Sequence, residues 1–135
     1  MPDKEILIEA KGLKKYFKVR QGHLHAVDDV SFAIPTGQTL GVVGESGCGK
    51  STLGRTVIRL LPQTDGQVIY RGENIFAFDK RRMNQARARL NIIFQDPYSS
   101  LNPRMAVSDL IADPLLINKT YKTRGEAYKR VRELM

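Results

Sequence analysis

The chain has 135 residues, a formal net charge of +8 and a hydrophobic fraction of 41%. This length and composition suit one modest folded domain, or part of a larger one, and exclude a disordered tract. No apolar run approaches the roughly 20 residues that span a bilayer, and the N-terminus lacks the pattern of a secretory signal. We therefore expect a cytoplasmic protein, and the single Cys48 fits a reducing compartment.

The first forty residues predict short antiparallel strands joined by turns. Apolar segments at residues 6–10 and 13–19 are separated by a Lys-Gly pair, and residues 24–27 predict another strand. From residue 30 to residue 34, apolar residues alternate with polar or small ones, which is the period of a half-buried strand. The opening of the chain therefore predicts an antiparallel sheet.

Two later segments have the pattern of strands buried on both faces. Residues 39–43 (TLGVV) and 90–94 (LNIIF) are short and nearly all apolar, as expected in a parallel sheet. Residues 67–70 predict one more strand between them. These segments predict the beginning of an α/β core.

Helical spacing recurs in the rest of the chain. Residues 50–61 and the polar segment 79–89 predict helices, and residues 98–104 predict a loop. Residues 107–113 predict a helix that stops before Pro114, because proline lacks the backbone N–H that a helix needs. Thr123 and Glu126 have capping-box spacing ahead of a last helix, which is still running where the sequence ends.

The sequence between the first apolar strand and the first helix is a phosphate-binding motif. Residues 44–51 (GESGCGKS) match G-x-x-x-x-G-K-[ST] at every fixed position. Glycines let backbone N–H groups curl around phosphates, Lys50 supplies a mobile charge, and Ser51 supplies a hydroxyl ligand for Mg²⁺. The predicted nucleotide-binding residues of this loop are Gly44, Glu45, Ser46, Gly47, Cys48, Gly49, Lys50, Ser51 and Thr52.

The loop and its surroundings resemble the ATP-binding subunits of ABC transporters. The stretch VDDVSFAIPTGQTLGVVGESGCGKSTLGR is similar to subunits of oligopeptide and dipeptide importers, and residues 92–105 (IIFQDPYSSLNPRM) resemble the Q-loop region of that peptide/nickel branch. The resemblance implies an α/β P-loop NTPase fold, truncated after its N-terminal half. It divides the chain into an antiparallel β-subdomain (1–38), a partial P-loop core (39–95), and the Q-loop with the start of a helical subdomain (96–135).

The resemblance also assigns roles that residue patterns alone do not. It implies that Gln95 approaches Mg²⁺ and the attacking water, which makes Lys50 and Gln95 the catalytic candidates, and Ser51 and Gln95 the metal candidates. It implies that Phe17 stacks on adenine, with Tyr16 as the runner-up. By residue type alone, Phe17 would be an ordinary aromatic of a strand core and Gln95 a solvated loop residue.

The family's remaining catalytic groups are absent from this sequence. There is no LSGGQ-like run, no apolar strand ends in Asp-Glu, and His23 and His25 both precede the phosphate loop, so neither is the downstream switch histidine. We therefore expect binding of ATP and Mg²⁺ without turnover, and a chain prone to aggregation because its apolar strands lack covering elements. The implied partners are a second ATP-binding subunit and transmembrane permease subunits that dock at the Q-loop, on the inner face of the membrane.

Two other classes of function remain open at this point. Another P-loop enzyme, such as a kinase or GTPase, would share the phosphate loop; a GTPase would add a guanine-reading N-K-x-D, but Asn118-Lys119 is followed by Thr120-Tyr121. A basic module could bind nucleic acid or anionic lipid through residues 80–89. We favour a solvated helix face there, and expect no nucleic acid partner, because no aromatic residues interleave with the charges. The basic residues of that segment are Lys80, Arg81, Arg82, Arg87 and Arg89.

Overall fold

A computed structural model describes residues 5–135, apart from the side chains of Pro97 and Ser99. The chain forms two compact units, of which the first ends at Met83 and the second spans Asn84–Met135.

The first unit is built on a four-stranded antiparallel sheet with the strand order β2-β1-β3-β4. The strands are β1 (Ile6–Val19), β2 (Gly22–Pro35), β3 (Asp65–Tyr70) and β4 (Glu73–Asn74). The predicted antiparallel sheet is therefore confirmed, but its four short N-terminal segments merge into two long strands. Irregular register allows this merger, because extra residues bulge out of the ladder without ending the pairing.

Besides the four strands, three short helical elements begin in the first unit. They are α1 (Lys50–Val57), a 3₁₀ turn (Ile75–Ala77) and α2 (Lys80–Arg87). Helix α1 ends four residues earlier than its apolar spacing predicts. There Arg59 takes a left-handed φ of 56°, and its guanidinium donates hydrogen bonds to the carbonyls of Ile75 and Phe78, both at 2.9 Å.

The core of the first unit lies between the sheet and these short helices. Leu13 and Val68 come from the sheet, Thr56 from α1 and Ile75 from the 3₁₀ turn, and all four are fully buried. The Thr56 hydroxyl is compatible with this apolar setting because it donates to the Thr52 carbonyl at 2.7 Å. This packing holds the C-terminal end of α1 against the sheet.

The second unit consists of helices α3 (Pro97–Ser100), α4 (Val107–Ile117) and α5 (Arg124–Leu134). The capping box at the start of α5 is confirmed, since Thr123 and Glu126 exchange side-chain and backbone hydrogen bonds. The predicted stop before Pro114 is wrong, because α4 continues through it. Small and apolar side chains explain the tolerance: Ala112, Ala127 and Val131 are almost completely buried, and their packing outweighs the loss of one backbone bond.

The two predicted parallel strands are not present. Residues 39–43 and 90–94 have no regular secondary structure, and the sheet of the described residues is antiparallel throughout. Val43 is 94% exposed and Ile93 is 96% exposed, which contradicts burial on both faces. The physical reason is that a strand exists only where a neighbouring strand accepts its hydrogen bonds, and neither segment has one among the described residues.

Candidate nucleotide site

The phosphate loop is closed around the side chain of Lys50. Its ammonium donates hydrogen bonds to the carbonyl oxygens of Gly44 at 2.8 Å and Glu45 at 2.6 Å, and it lies 3.5 Å from the sulfur of Cys48. The loop also makes a backbone bond from the Cys48 N–H to the Glu45 carbonyl, at 3.4 Å. The motif lysine therefore holds the loop together through hydrogen bonds to its carbonyl oxygens, and its ammonium remains exposed.

Glycine is required where the loop meets the sheet. Gly49 has a φ of 96° and a β-carbon added there would lie 2.0 Å from the Ala26 carbonyl oxygen. Gly44 is also crowded, because an added β-carbon would lie 2.7 Å from the Cys48 sulfur. The fixed glycines of the motif thus permit close approach of the loop to strand β2 and to itself.

The loop leads directly into the N-terminus of α1. Gly49 is the N-cap and makes no side-chain capping bond, and the first turn of α1 contains no acidic residue. Backbone N–H groups in a first helical turn lack intrahelical acceptors, and the helix dipole adds positive potential at the same end. Within the described chain, the N–H groups of Ser46 and Gly47 donate no backbone–backbone hydrogen bond. This arrangement suits an anion with several oxygens.

A pocket of about 330 Å³ opens beside the loop. One wall consists of loop and helix residues 47–52, including Lys50, Ser51 and Thr52, and another comes from the hairpin of β1 and β2. The hairpin residues that line the pocket are Phe17, Leu24, His25 and Ala26. The structure therefore brings the predicted aromatic residue and the phosphate loop to one cavity.

Phe17 is half-buried and its ring is covered on one face. The ammonium of Lys15 lies 4.9 Å from the ring centroid, and Lys15 is itself almost buried. A cation over the ring stabilises its orientation through the quadrupole of the π-system. The ring is therefore held in place where it lines the pocket.

Tyr16, the alternative aromatic residue, belongs to a separate side-chain cluster. Its ring stacks on His25 with a centroid separation of 3.8 Å and an interplanar angle of 9°, and its hydroxyl donates to Asp28. This hydrogen bond raises the pKa of Tyr16 to about 12 and lowers the pKa of Asp28, with a further contribution from His25. Sequence reasoning missed His25 and Asp28. His25 pairs with Tyr16 in the regular register beside the hairpin turn, whereas Asp28 reaches Tyr16 across the register shift between Lys15 and Tyr16.

Gln95 belongs to the second unit. It lies at an exposed bend directly before Asp96, whose carboxylate accepts the Tyr98 N–H at 3.0 Å and whose carbonyl accepts the Ser100 hydroxyl at 2.8 Å. These bonds begin the short helix α3. The role of Gln95 at Mg²⁺ stays a prediction.

The oxygen donors of the loop suit Mg²⁺, which needs few protein ligands, better than a metal ion that protein side chains coordinate completely. Among residues 5–135, no group of three or more His, Cys, Asp or Glu side chains is placed to hold a metal ion. Mg²⁺ prefers oxygen ligands, keeps several waters and is commonly bound through few protein groups plus substrate phosphates. The Ser51 hydroxyl at the pocket is such a group.

None of the helices within residues 5–135 has the length and hydrophobicity of a membrane span.

The chain is similar to known ATP-binding proteins of peptide transport. It is 52% identical over 132 residues to the oligopeptide transport ATP-binding protein OppF of Bacillus subtilis, covering 97% of this chain and 43% of that protein. It is 42% identical over 135 residues to the dipeptide transport ATP-binding protein DppF of Haemophilus influenzae, covering 96% and 41%. The chain thus spans less than half the length of these curated relatives.

A solved structure and a family model agree with these relatives. The fold matches that of the ATP-binding cassette MJ0796, solved as a dimer in a post-hydrolysis state bound to ADP and Pi, with a TM-score of 0.77 and 24% identity over 93% of this chain and 54% of that chain. This match confirms the predicted cassette fold. The model of the family described as ABC transporter matches residues 27–135. The chain therefore belongs to the ABC transporter family.

Proposed function

We propose that this chain is the nucleotide-binding part of an ATP-binding subunit that energises import of peptides or related solutes. The observation that carries the proposal is the pocket shared by Phe17 and residues 47–52. An aromatic face and a phosphate loop at one cavity match the two ends of a nucleotide triphosphate. The names of the curated relatives support the peptide class of solute.

The loop would bind the phosphates by exchanging internal hydrogen bonds for external ones. The Lys50 ammonium now bonds the carbonyls of Gly44 and Glu45, and phosphate oxygens would replace these acceptors. The N–H groups of residues 46 and 47 and the first turn of α1 would supply further donors. At the other end of the pocket, the Phe17 ring would stack on the adenine.

The family resemblance makes Ser51 a proposed Mg²⁺ ligand and gives Gln95 a proposed role at Mg²⁺. The metal, when bound, would neutralise charge on the phosphate oxygens. The Ser51 hydroxyl would orient the phosphates through that ion, while Lys50 would hold them directly. Lys50 and Gln95 remain the proposed catalytic residues of the complete subunit.

The proposal extends to assembly and to the arrangement of the chain. A second ATP-binding subunit and a permease docked at the Q-loop are the proposed partners, at the inner face of the membrane. The proposed division is 1–38 for the antiparallel part, 39–95 for the partial core and 96–135 for the Q-loop region. We propose that these 135 residues bind Mg-ATP without turnover, since no LSGGQ-like run and no Asp-Glu strand end occur in them.

Equilibrium binding of a fluorescent ATP analogue to the 135-residue chain tests this function. We expect saturable, Mg²⁺-dependent binding, and we expect Lys50→Ala to weaken it about tenfold or more, because a charge-assisted bond to phosphate is lost. Lys80→Ala is the matched control, since it removes one positive charge from the exposed face of α2.

Each outcome has a distinct meaning. Equal affinity of wild type and Lys50→Ala would contradict the proposed phosphate site. Equal losses for Lys50→Ala and Lys80→Ala would indicate general charge attraction, as in the alternative of a basic module. Sustained phosphate release by the pure chain, abolished in Lys50→Ala, would contradict binding without turnover.

A further inference from the structure

Strand β2 contains surplus residues beside the phosphate loop. Leu13 pairs with Val30, whereas Tyr16 pairs with His25, so that three steps along β1 correspond to five along β2. The surplus lies between residues 25 and 30, where Asp29 has a left-handed φ of 52°. Bulges of this kind redirect side chains and carbonyls, and are frequent next to functional sites.

One polar cluster spans this irregular segment. The Tyr16 ring stacks on His25, its hydroxyl donates to Asp28, and the His25 Nδ1 lies 3.6 Å from the Asp28 carboxylate. On its other side, the Tyr16 N–H donates to the Thr64 hydroxyl at 2.8 Å. The cluster therefore links His25 and Asp28 on the bulged segment of β2 to Tyr16 on β1. The Thr64 hydroxyl holds the Tyr16 backbone from the other side.

The segment enclosed by the cluster contacts both walls of the pocket. Ala26 lies between His25 and Asp28, and its carbonyl faces Gly49 so closely that a β-carbon on the glycine would lie 2.0 Å away. Phe17 directly follows Tyr16 and lines the same pocket. The position of Ala26 thus sets how the phosphate loop approaches the hairpin that bears Phe17.

We propose that Tyr16, His25 and Asp28 are positioning residues that fix the separation between the Phe17 wall and the phosphate loop. This inference rests on the proposed nucleotide-binding function. His25 lines the pocket, whereas Tyr16 and Asp28 do not and need not touch the nucleotide. They act by holding the bulge, so a ligand that uses both walls depends on them, whereas a ligand that uses the loop alone does not.

The test compares ATP with inorganic tripolyphosphate, both with Mg²⁺, on the 135-residue chain. We expect Asp28→Ala to weaken ATP binding roughly five- to tenfold, the equivalent of about one ordinary hydrogen bond, and to change the tripolyphosphate affinity less than about twofold. Tyr16→Phe keeps the stack and loses the hydroxyl, so it should match Asp28→Ala, and the double variant should be no weaker than either alone. Tyr16→Leu, which also loses the stack, should be weaker than Tyr16→Phe.

Glu73→Ala is the matched control. Glu73 is another exposed carboxylate of the first unit, paired with Arg82, and its loss should change neither affinity. If the wild type binds neither ligand, the proposed function itself fails. If the wild type binds both and the cluster variants bind ATP equally well, the positioning role is wrong. Equal losses for both ligands would also overturn it, because they would indicate a general structural effect.

Discussion

Gly49 is the residue at which the phosphate loop and the sheet come closest. Its φ of 96° disfavours any side chain, and the Ala26 carbonyl occupies the space that a β-carbon would need. We expect Gly49→Ala to reduce the free energy of unfolding by about 1–3 kcal/mol and to abolish nucleotide binding. Urea unfolding and the fluorescent-nucleotide assay would measure the two effects.

Gly54→Ala is the control for that substitution. Gly54 lies within α1, and an added β-carbon there would meet nothing within 4 Å. Alanine is the better helix former, so the variant should gain about 0.5–1 kcal/mol. Equal destabilisation of the two variants would show that the contact with Ala26 is not the cause.

The Tyr16 hydroxyl gives the protein a measurable titration at high pH. The hydrogen bond to Asp28 raises the pKa of Tyr16 to about 12, so folding favours the protonated phenol. Its contribution to stability is complete below about pH 10, the unfolded value, and is lost as the pH rises towards 12. Ultraviolet absorbance of phenolate should show a late titration that Tyr16→Phe removes. A wild type whose tyrosines all titrate near pH 10 would contradict it.

At the scale of single residues, sequence and structure contribute differently to the site. The spacing of residues 44–52 is enough to predict a phosphate loop, because each residue type has a local physical reason. Phe17 needed a family resemblance, since nothing local distinguishes it from a core aromatic. Neither local pattern nor the family resemblance identified His25, because its place at the pocket follows from the pairing of β1 with β2 in the folded hairpin.

Among the elements, α5 begins with a capping box that sequence spacing predicted. The Thr123 hydroxyl accepts the Glu126 N–H at 3.3 Å, and we expect Thr123→Ala to destabilise the helix by about 1 kcal/mol. Circular dichroism during urea unfolding would measure it. Thr120→Ala is the comparison, since it leaves the bond from the Thr120 N–H to the Leu115 carbonyl intact. An equal loss in both variants would count against the cap.

The two incorrect strand predictions show the limit of local pattern. Residues 39–43 and 90–94 have the composition of buried strands, yet both are irregular and exposed. The apolar composition of a segment indicates that it favours burial, but a strand also requires a neighbouring strand that supplies hydrogen bonds. The antiparallel hairpin of β1 and β2 was predictable because both partners are close in sequence.

For the whole molecule, these exposed segments predict self-association. Val43 and Ile93 are almost fully exposed, and apolar segments without partners favour contacts between copies. We expect sedimentation velocity to show association that increases with protein concentration, and less of it in a Val43→Lys, Ile93→Lys variant. A monomeric wild type with a cooperative thermal transition independent of concentration would contradict this expectation.

The Lys50 side chain has a consequence for the energetics of the proposed nucleotide binding. Because its ammonium lies among the loop's own carbonyl oxygens, hydrogen bonds within the loop help to hold its shape. Much of the conformational entropy that the loop would otherwise lose on binding is therefore already lost when the chain folds. The proposed triphosphate would meet a preorganised loop, and would have to compete with two carbonyl oxygens for a cation that is already in place.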